Sequence, residues 1–377
     1  MELWTTVLFI VGIVALVGGA EILVRGAARL AAAFHISPLA IGLTVVAFGT
    51  SAPELAVTLR SATGGESGIA IGNIVGSNIF NVLLVLGIVA VVSPVAVSRQ
   101  LARIDVPLMA GASVLAFVLA MDGWLGRLDG AVLVLCLVGY NIYCVRTGRA
   151  PDVDADLVSA GPVEGASVKQ RLRDVAMVCA GLAGLLVGAH WLVDGAVAFA
   201  TWAGLSTLII GLTVVTIGTS LPEVAISVVA VVRGERDIAA GNVVGSNLFN
   251  LLGVLGIGAL VVRGGIPVPV EAVSFDLPVM VAVALACVPV FITQGEVSRW
   301  EGGLFLTYYV IYTLYLILAS THHDAMDTVS LVTWLFVLPV TILLIVISIV
   351  RHFRARTLRT TPLGDKETPK VLKEKVR

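Results

Sequence analysis

Residues 42 to 87 read GLTVVAFGTSAPELAVTLRSATGGESGIAIGNIVGSNIFNVLLVLG, and residues 211 to 256 read GLTVVTIGTSLPEVAISVVAVVRGERDIAAGNVVGSNLFNLLGVLG. The two align at a constant offset of 169 without a gap, with 27 identities in 46 positions. The identities fall on Gly, Thr, Ser, Pro, Glu and Asn more than on apolar filler. Each copy carries G-T-S-x-P-E followed by G-N-x-V-G-S-N-x-F-N. A long internal repeat constrains the fold before any local pattern does. Here it predicts two halves of one chain, each bringing one carboxylate to a shared polar centre.

Those copies lie in a chain that is 58% apolar and 13% charged, against about 25% charged for a soluble domain. That composition gives a polytopic membrane protein, since an apolar run of about 20 residues crosses the hydrocarbon. Eleven runs are read: 3–24, 38–61, 69–92, 105–121, 128–145, 175–198, 206–232, 239–262, 273–293, 301–319 and 330–350. No basic residue precedes the first run, so a cleaved signal peptide is not expected. Cys136, Cys144, Cys179 and Cys287 lie in or beside apolar runs without a C-x-x-C pair, and read as free thiols used as small apolar residues.

Basic residues give the orientation. With the N-terminus outside, 21 of the 24 Lys and Arg fall on inside segments, leaving only Arg60, Arg127 and Arg263 outside. The positive-inside rule therefore predicts N-out, C-in in the cell membrane, with the basic tail near anionic headgroups. Five spans separate equivalent points of the two copies, and five is odd, so the second copy must cross upside down. The expected fold is all-α: two inverted five-helix repeats, 1–145 and 175–319, joined by a cytoplasmic linker at 146–174. Residues 320–377 add an eleventh span and the tail. Inverted repeats are a transporter architecture with the site near the midplane.

Outside the motifs the plainer readings prevail. Glu21 and Arg25 lie four apart and read as a local ion pair, replaced in the second copy by His190 and Asp194. Asp105 with Pro107 resembles Asp276 with Pro278, and Tyr140 with Tyr143 resembles Tyr312 with Tyr315; these read as helix-start and interface devices. Asp152, Asp154 and Asp156 alternate, but no D-x-D-x-D-G…E loop follows. His322 and His323 read as part of an exposed polar loop.

Glu54 and Glu223 sit inside spans, twelve or more residues from any evident helix start, where a carboxylate costs a few kcal/mol. At helical spacing Ala47, Thr50, Ser51 and Glu54 form one face, matched by Thr216, Thr219, Ser220 and Glu223. Pro53 and Pro222 each remove a donor and free carbonyls near Thr50 and Thr219. Asn73, Ser77 and Asn81 make a stripe on the next span, matched by Asn242, Ser246 and Asn250. Hydroxyls, carbonyls and carboxylates are an all-oxygen set, suited to hard cations such as Ca2+ or Na+. Two ionised glutamates neutralise one divalent ion, and two or three monovalent ions also come near balance. Between loads two like charges face each other in a dry site, so one acid can carry a proton.

At these residues the chain resembles the cation/calcium antiporter superfamily, specifically its prokaryotic sodium/calcium exchanger type. The motifs are G-T-S-A-P-E at 49–54 with G-N-I-V-G-S-N-I-F-N at 72–81, and G-T-S-L-P-E at 218–223 with G-N-V-V-G-S-N-L-F-N at 241–250. The resemblance covers ten of the eleven spans. It implies that Ca2+ is held by Glu54, Glu223 and main-chain oxygens of Thr50 and Thr219. It implies Na+ sites that add oxygens of Ala47, Ser51, Ser77, Thr216, Ser220 and Ser246, with Asn81 and Asn250 completing the ring. Both ring positions are Asn here where the family varies between Asn and Asp, so the pocket holds two carboxylates.

The expected function is exchange of Ca2+ for Na+ by alternating access, with H+ in place of Na+ as the alternative through the same glutamates. No enzyme activity, cofactor, nucleic acid or obligate protein partner is expected. A cation channel is the reading from another class; two buried carboxylates in a tight oxygen cage would hold an ion too firmly for fast conduction. An intramembrane hydrolase would need a nucleophile–base pair that the motifs lack. A reporter active only in the cytoplasm, fused after Arg377, is expected to give signal; signal only from a periplasmic reporter would reverse the orientation.

Overall fold

The computed structural model describes residues 3–34, 36–147, 168–202, 216–293 and 295–320. The Asp152–Asp156 segment of the linker, residues 206–215 of the seventh span, His322, His323 and the eleventh span with its tail lie outside the described residues.

The described chain is helical. Helix α1 is Leu3–Phe34. The second span is a broken pair, α2 Pro38–Thr50 and α3 Ala52–Thr63, bent by 43°. Then come α4 Ser67–Val92, α5 Leu101–Ala120 and α6 Arg127–Thr147. In the second half, α7 is Val168–Trp202, α8 is Thr216–Thr219 and α9 is Leu221–Val232. They are followed by α10 Arg236–Val261, α11 Ala272–Ile292 and α12 Arg299–Ser320. Eight of these helices are long and apolar enough to cross a membrane, and the bent pair makes a ninth.

The end of the first span differs from the hydropathy reading. Helix α1 continues ten residues past the expected end, because nothing stops it before Ser37, whose hydroxyl caps α2, and Pro38 at the next helix start. The helix carries the expected Glu21–Arg25 pair, and Glu21 also accepts from Arg233 Nε at 2.8 Å, at the turn after α9. The sequence supplied the local pair; Arg233 is 212 residues away and was not legible. His190 and Asp194 pair at 3.4 Å on an exposed face.

The two longest helices, α1 and α7, pack antiparallel through glycine. A Cβ on Gly19 would meet Leu185 N at 2.5 Å, and one on Gly181 would meet Leu23 N at 2.5 Å. Gly12 lies likewise against Leu192 and Gly188. Bare backbones can approach this closely only without side chains between them.

The remaining helices interlock across the halves. Gly87 of α4 lies against Gly302 of α12, and Gly256 of α10 against Gly130 of α6. Helix α10 also packs on α2, with Gly241 and Gly245 against Leu39 and Leu43. Two short strand pairs close opposite ends of the bundle: β1 (Val95–Ala96) pairs with β4 (Glu296–Val297), and β2 (Trp124–Leu125) with β3 (Ile266–Pro267). In each pair one strand comes from each half. Tyr140 donates to Asp105 at 3.2 Å and Tyr312 to Asp276 at 3.1 Å, tying α6 to α5 and α12 to α11. These pairs replace the expected interface role with a helix-to-helix tie. The span from α10 is the most enclosed, 89% buried within its apolar window, so the core sits on α4 and α10.

Gly19→Val should strain the α1–α7 contact, with overpacking costing about 2 kcal/mol, whereas Gly18→Val faces no atom within 4 Å. The measurement is the thermal midpoint in detergent. Equal midpoints for the two variants would contradict the close approach.

Candidate functional site

The bend in the second span creates the site. Ser51 (φ −82°, ψ 8°) interrupts the helix, and a new helix starts at Ala52 with Pro53 in its first turn. Ser220 (φ −95°, ψ 8°) does the same ahead of Leu221 and Pro222. Proline lacks an N–H and crowds the preceding turn, but at a helix start neither matters. Glu54 and Glu223 are therefore the third residues of α3 and α9, in their first turns. This corrects the reading that places them far from any helix start. It also divides the expected continuous face of Ala47, Thr50, Ser51 and Glu54, because the first two end one helix and the last begins another. The gain is electrostatic: the free N–H groups and positive dipole end of a helix start favour a carboxylate there.

Both glutamates are wholly buried, and each lies within electrostatic reach of the other. Thr50, Ser51, Ser220, Ser246, Asn81, Asn242 and Asn250 are fully buried with them, and Ser77 nearly so. The contacts cross between halves. Ser220 Oγ donates to Glu54 Oε1 at 3.2 Å and lies 3.2 Å from Ser77 Oγ. Thr50 Oγ1 lies 3.2 Å from Ser246 Oγ and from Asn242 Oδ1. Ala47 is buried, and its carbonyl accepts from Thr50 Oγ1 at 3.2 Å and from Ser51 N at 3.1 Å. Thr219 is half-buried at the end of α8, and Thr216 begins that helix, its side chain outside the described set.

The amide stripes divide in two. Asn73 donates to the Glu54 carbonyl at 3.1 Å and to Thr58 Oγ1 at 3.0 Å, and Asn242 donates to the Glu223 carbonyl at 3.4 Å and to Ser227 Oγ at 3.0 Å. They brace the backbone under each glutamate. Asn81 and Asn250 stand one helical turn past Ser77 and Ser246, where α4 and α10 widen into π turns, Asn81–Val85 and Phe249–Val254. Such widenings recur at functional positions. The π turns were not legible, since no residue type marks them. Thr58 and Ser227 were also missed, although their shared offset of 169 was available as a signal.

The site is short of donors. Ser51 Oγ, Glu54 Oε2, both carboxylate oxygens of Glu223, Asn81 Oδ1 and Asn250 Oδ1 are buried with no hydrogen-bond partner among the described residues. Each such oxygen costs about 1–3 kcal/mol if left unmet. Among the described residues no three of His, Cys, Asp and Glu cluster, so the donors are oxygens with only two carboxylates. A dehydrated hard cation is the partner that such a set can satisfy.

Comparison with known proteins agrees with this arrangement. The family profile described as sodium/calcium exchanger protein matches residues 4–146 and 174–318. The putative antiporter CaxA of Alkalimonas amylolytica is 37% identical over 318 residues, covering 84% of this chain and 99% of that protein. The sodium/calcium exchanger MaX1 of Methanosarcina acetivorans is 32% identical over 345 residues, covering 82% of this chain and 97% of its own. Among solved structures, the sodium-calcium exchanger NCX_Mj soaked with 2.5 mM Na+ and 0.1 mM Ca2+ superposes with a TM-score of 0.71 at 32% identity. That match covers 82% of this chain and 98% of the other.

Proposed function

The chain belongs to the sodium/calcium exchanger family, and from that premise we propose that it exports Ca2+ in exchange for Na+ by alternating access across the cell membrane. It is a multi-pass membrane protein with the fold of a cation antiporter. The observation that carries the proposal is the buried cluster of unpartnered oxygens around Glu54 and Glu223, each glutamate on the first turn of a half-helix.

In this reading Ca2+ is held by Glu54 and Glu223 with the carbonyls of Thr50 and Thr219. Na+ takes the same groups together with oxygens of Ala47, Ser51, Ser77, Thr216, Ser220, Ser246, Asn81 and Asn250. The two loads compete for one charge of about −2, so the site empties of one as it fills with the other. Ser220, bonded to Glu54 from the opposite half, couples occupancy to the position of both half-helices.

The inverted repeat is supported by reciprocity. Gly12 and Gly19 of α1 face Gly188 and Gly181 of α7, which are their own equivalents at offset 169 in reversed order. A two-fold axis lying in the membrane plane produces that pattern. Helices α1 and α7, held together as one pair by their glycine contact, then slide past the other helices, which are locked across the halves and form the stationary core. The N-terminus lies outside.

Reconstituted protein loaded with Na+ should take up Ca2+ when diluted into Na+-free medium, and an imposed pH gradient alone should drive none. Uptake driven by pH and indifferent to Na+ would reassign the counter-ion to H+. Glu54→Gln and Glu223→Gln should each lower Ca2+ transport roughly a hundredfold, as expected when about 3 kcal/mol of buried charge pairing is lost. Near-normal exchange in either variant would reject the site. Asn81→Asp should shift the preference between Ca2+ and Na+, measured by competition, and unchanged preference would remove Asn81 from the ring.

A further inference from the structure

Each motif carries a second amide, Asn78 in G-S-N-I-F-N and Asn247 in G-S-N-L-F-N, for which the exchange reading has no task. Both are buried, at 3% and 2% exposure. Asn247 Nδ2 donates to Met109 Sδ at 3.3 Å, and Asn247 Oδ1 accepts from Asn81 Nδ2 at 3.3 Å. A thioether has no proton to give. Asn247 can therefore only present its nitrogen to Met109, which leaves its oxygen toward Asn81. Asn81 must answer with its own nitrogen, and its oxygen is turned the other way, buried and without a protein partner.

We propose that Asn247, held by Met109, is a positioning residue that fixes the Asn81 amide with its oxygen toward the transported cation. An unanchored amide can offer an ion either a donor or an acceptor face; the wrong one repels it. The equivalent residue of the other half, Asn78, donates its Nδ2 to the Ile74 carbonyl at 2.7 Å, which leaves its oxygen to receive a second bond. Here that second bond is not made. Asn78 Oδ1 and both polar atoms of Asn250 have no partner among the described residues. One amide of the ring is clamped and the other is free, an inequality that the near-identical motifs do not encode.

This inference rests on the exchange reading, and its test separates the two. Ca2+ binding is measured at equilibrium on the purified full chain, for Asn247→Leu in the native background and again with Asn81→Asp. A carboxylate has oxygen on both sides, so orientation ceases to matter once it replaces the amide. The expected result is a roughly tenfold weaker Kd for Asn247→Leu alone, about 1.4 kcal/mol, and less than about a twofold change in the Asp background. A penalty of the same size in both backgrounds means that Asn247 is merely structural, and overturns the proposal. So does no penalty in the native background, or loss of Ca2+ binding on Asn81→Asp alone.

Met109→Leu, which removes the sulfur acceptor and keeps the volume, should shift Kd in the same direction with the same suppression. It decides the matter if Asn247→Leu does not fold. Glu54→Gln is run alongside: if it binds Ca2+ normally, the exchange site itself is wrong, an outcome distinct from any of these.

Discussion

Two carboxylates must remain in a place from which water is excluded, and the rest of the structure follows from the means of keeping them there. A charge deep in hydrocarbon is tolerated only with compensation. The chain supplies part of it locally, by ending a helix at Ser51 and at Ser220 and beginning another so that each glutamate lies on a positive helix end. A hydroxyl from the facing half supplies more, Ser220 donating to Glu54. What they do not satisfy is, in the function proposed above, left for a cation. A fully compensated pair of acids would be stable and inert; an incompletely compensated pair has reason to bind an ion and, given a competitor, to release it.

The packing divides the molecule by the chemistry of its surfaces. Where α1 meets α7 the contact is backbone on backbone at Gly12, Gly19, Gly181 and Gly188, with side chains packed toward its two ends, Met177 and Val178 on Gly26 and Phe9 on Gly195. Elsewhere the halves are bound by strand pairs and the cross-packing of α4 with α12 and α10 with α6, while a Tyr–Asp bond ties two helices within each half. The bare contact holds α1 and α7 close as one pair, and the interlocked contacts hold the remaining helices to one another. The ion pair of Glu21 with Arg233 is a tie between α1 and the end of α9, beyond the apolar contact. The corresponding pair on α7, His190 with Asp194, stays on its own helix. The two ends of the glycine-faced pair are thus held differently, although the sequence frame repeats.

Sequence by itself determined a great deal here, because repetition and charge are linear properties. The 169-residue offset, the paired Glu54 and Glu223, the hydroxyl and amide partners and nearly all the described spans can be read from residue types and spacing. What it could not give was anything that depends on where one helix meets another. Reading Pro53 and Pro222 as kinks within long helices put the glutamates at mid-helix; only the folded backbone put them at helix starts. The amides of one stripe look alike at spacing four, yet Asn73 and Asn242 brace backbone while Asn81 and Asn250 face inward, a division made by the half-helix alongside. Met109, Asn247 and Asn81 lie on three helices and meet only through packing. The residue types were fixed by the chemistry of carrying a cation through oil, which is local; their orientation is fixed by hydrogen bonds between helices, which are not.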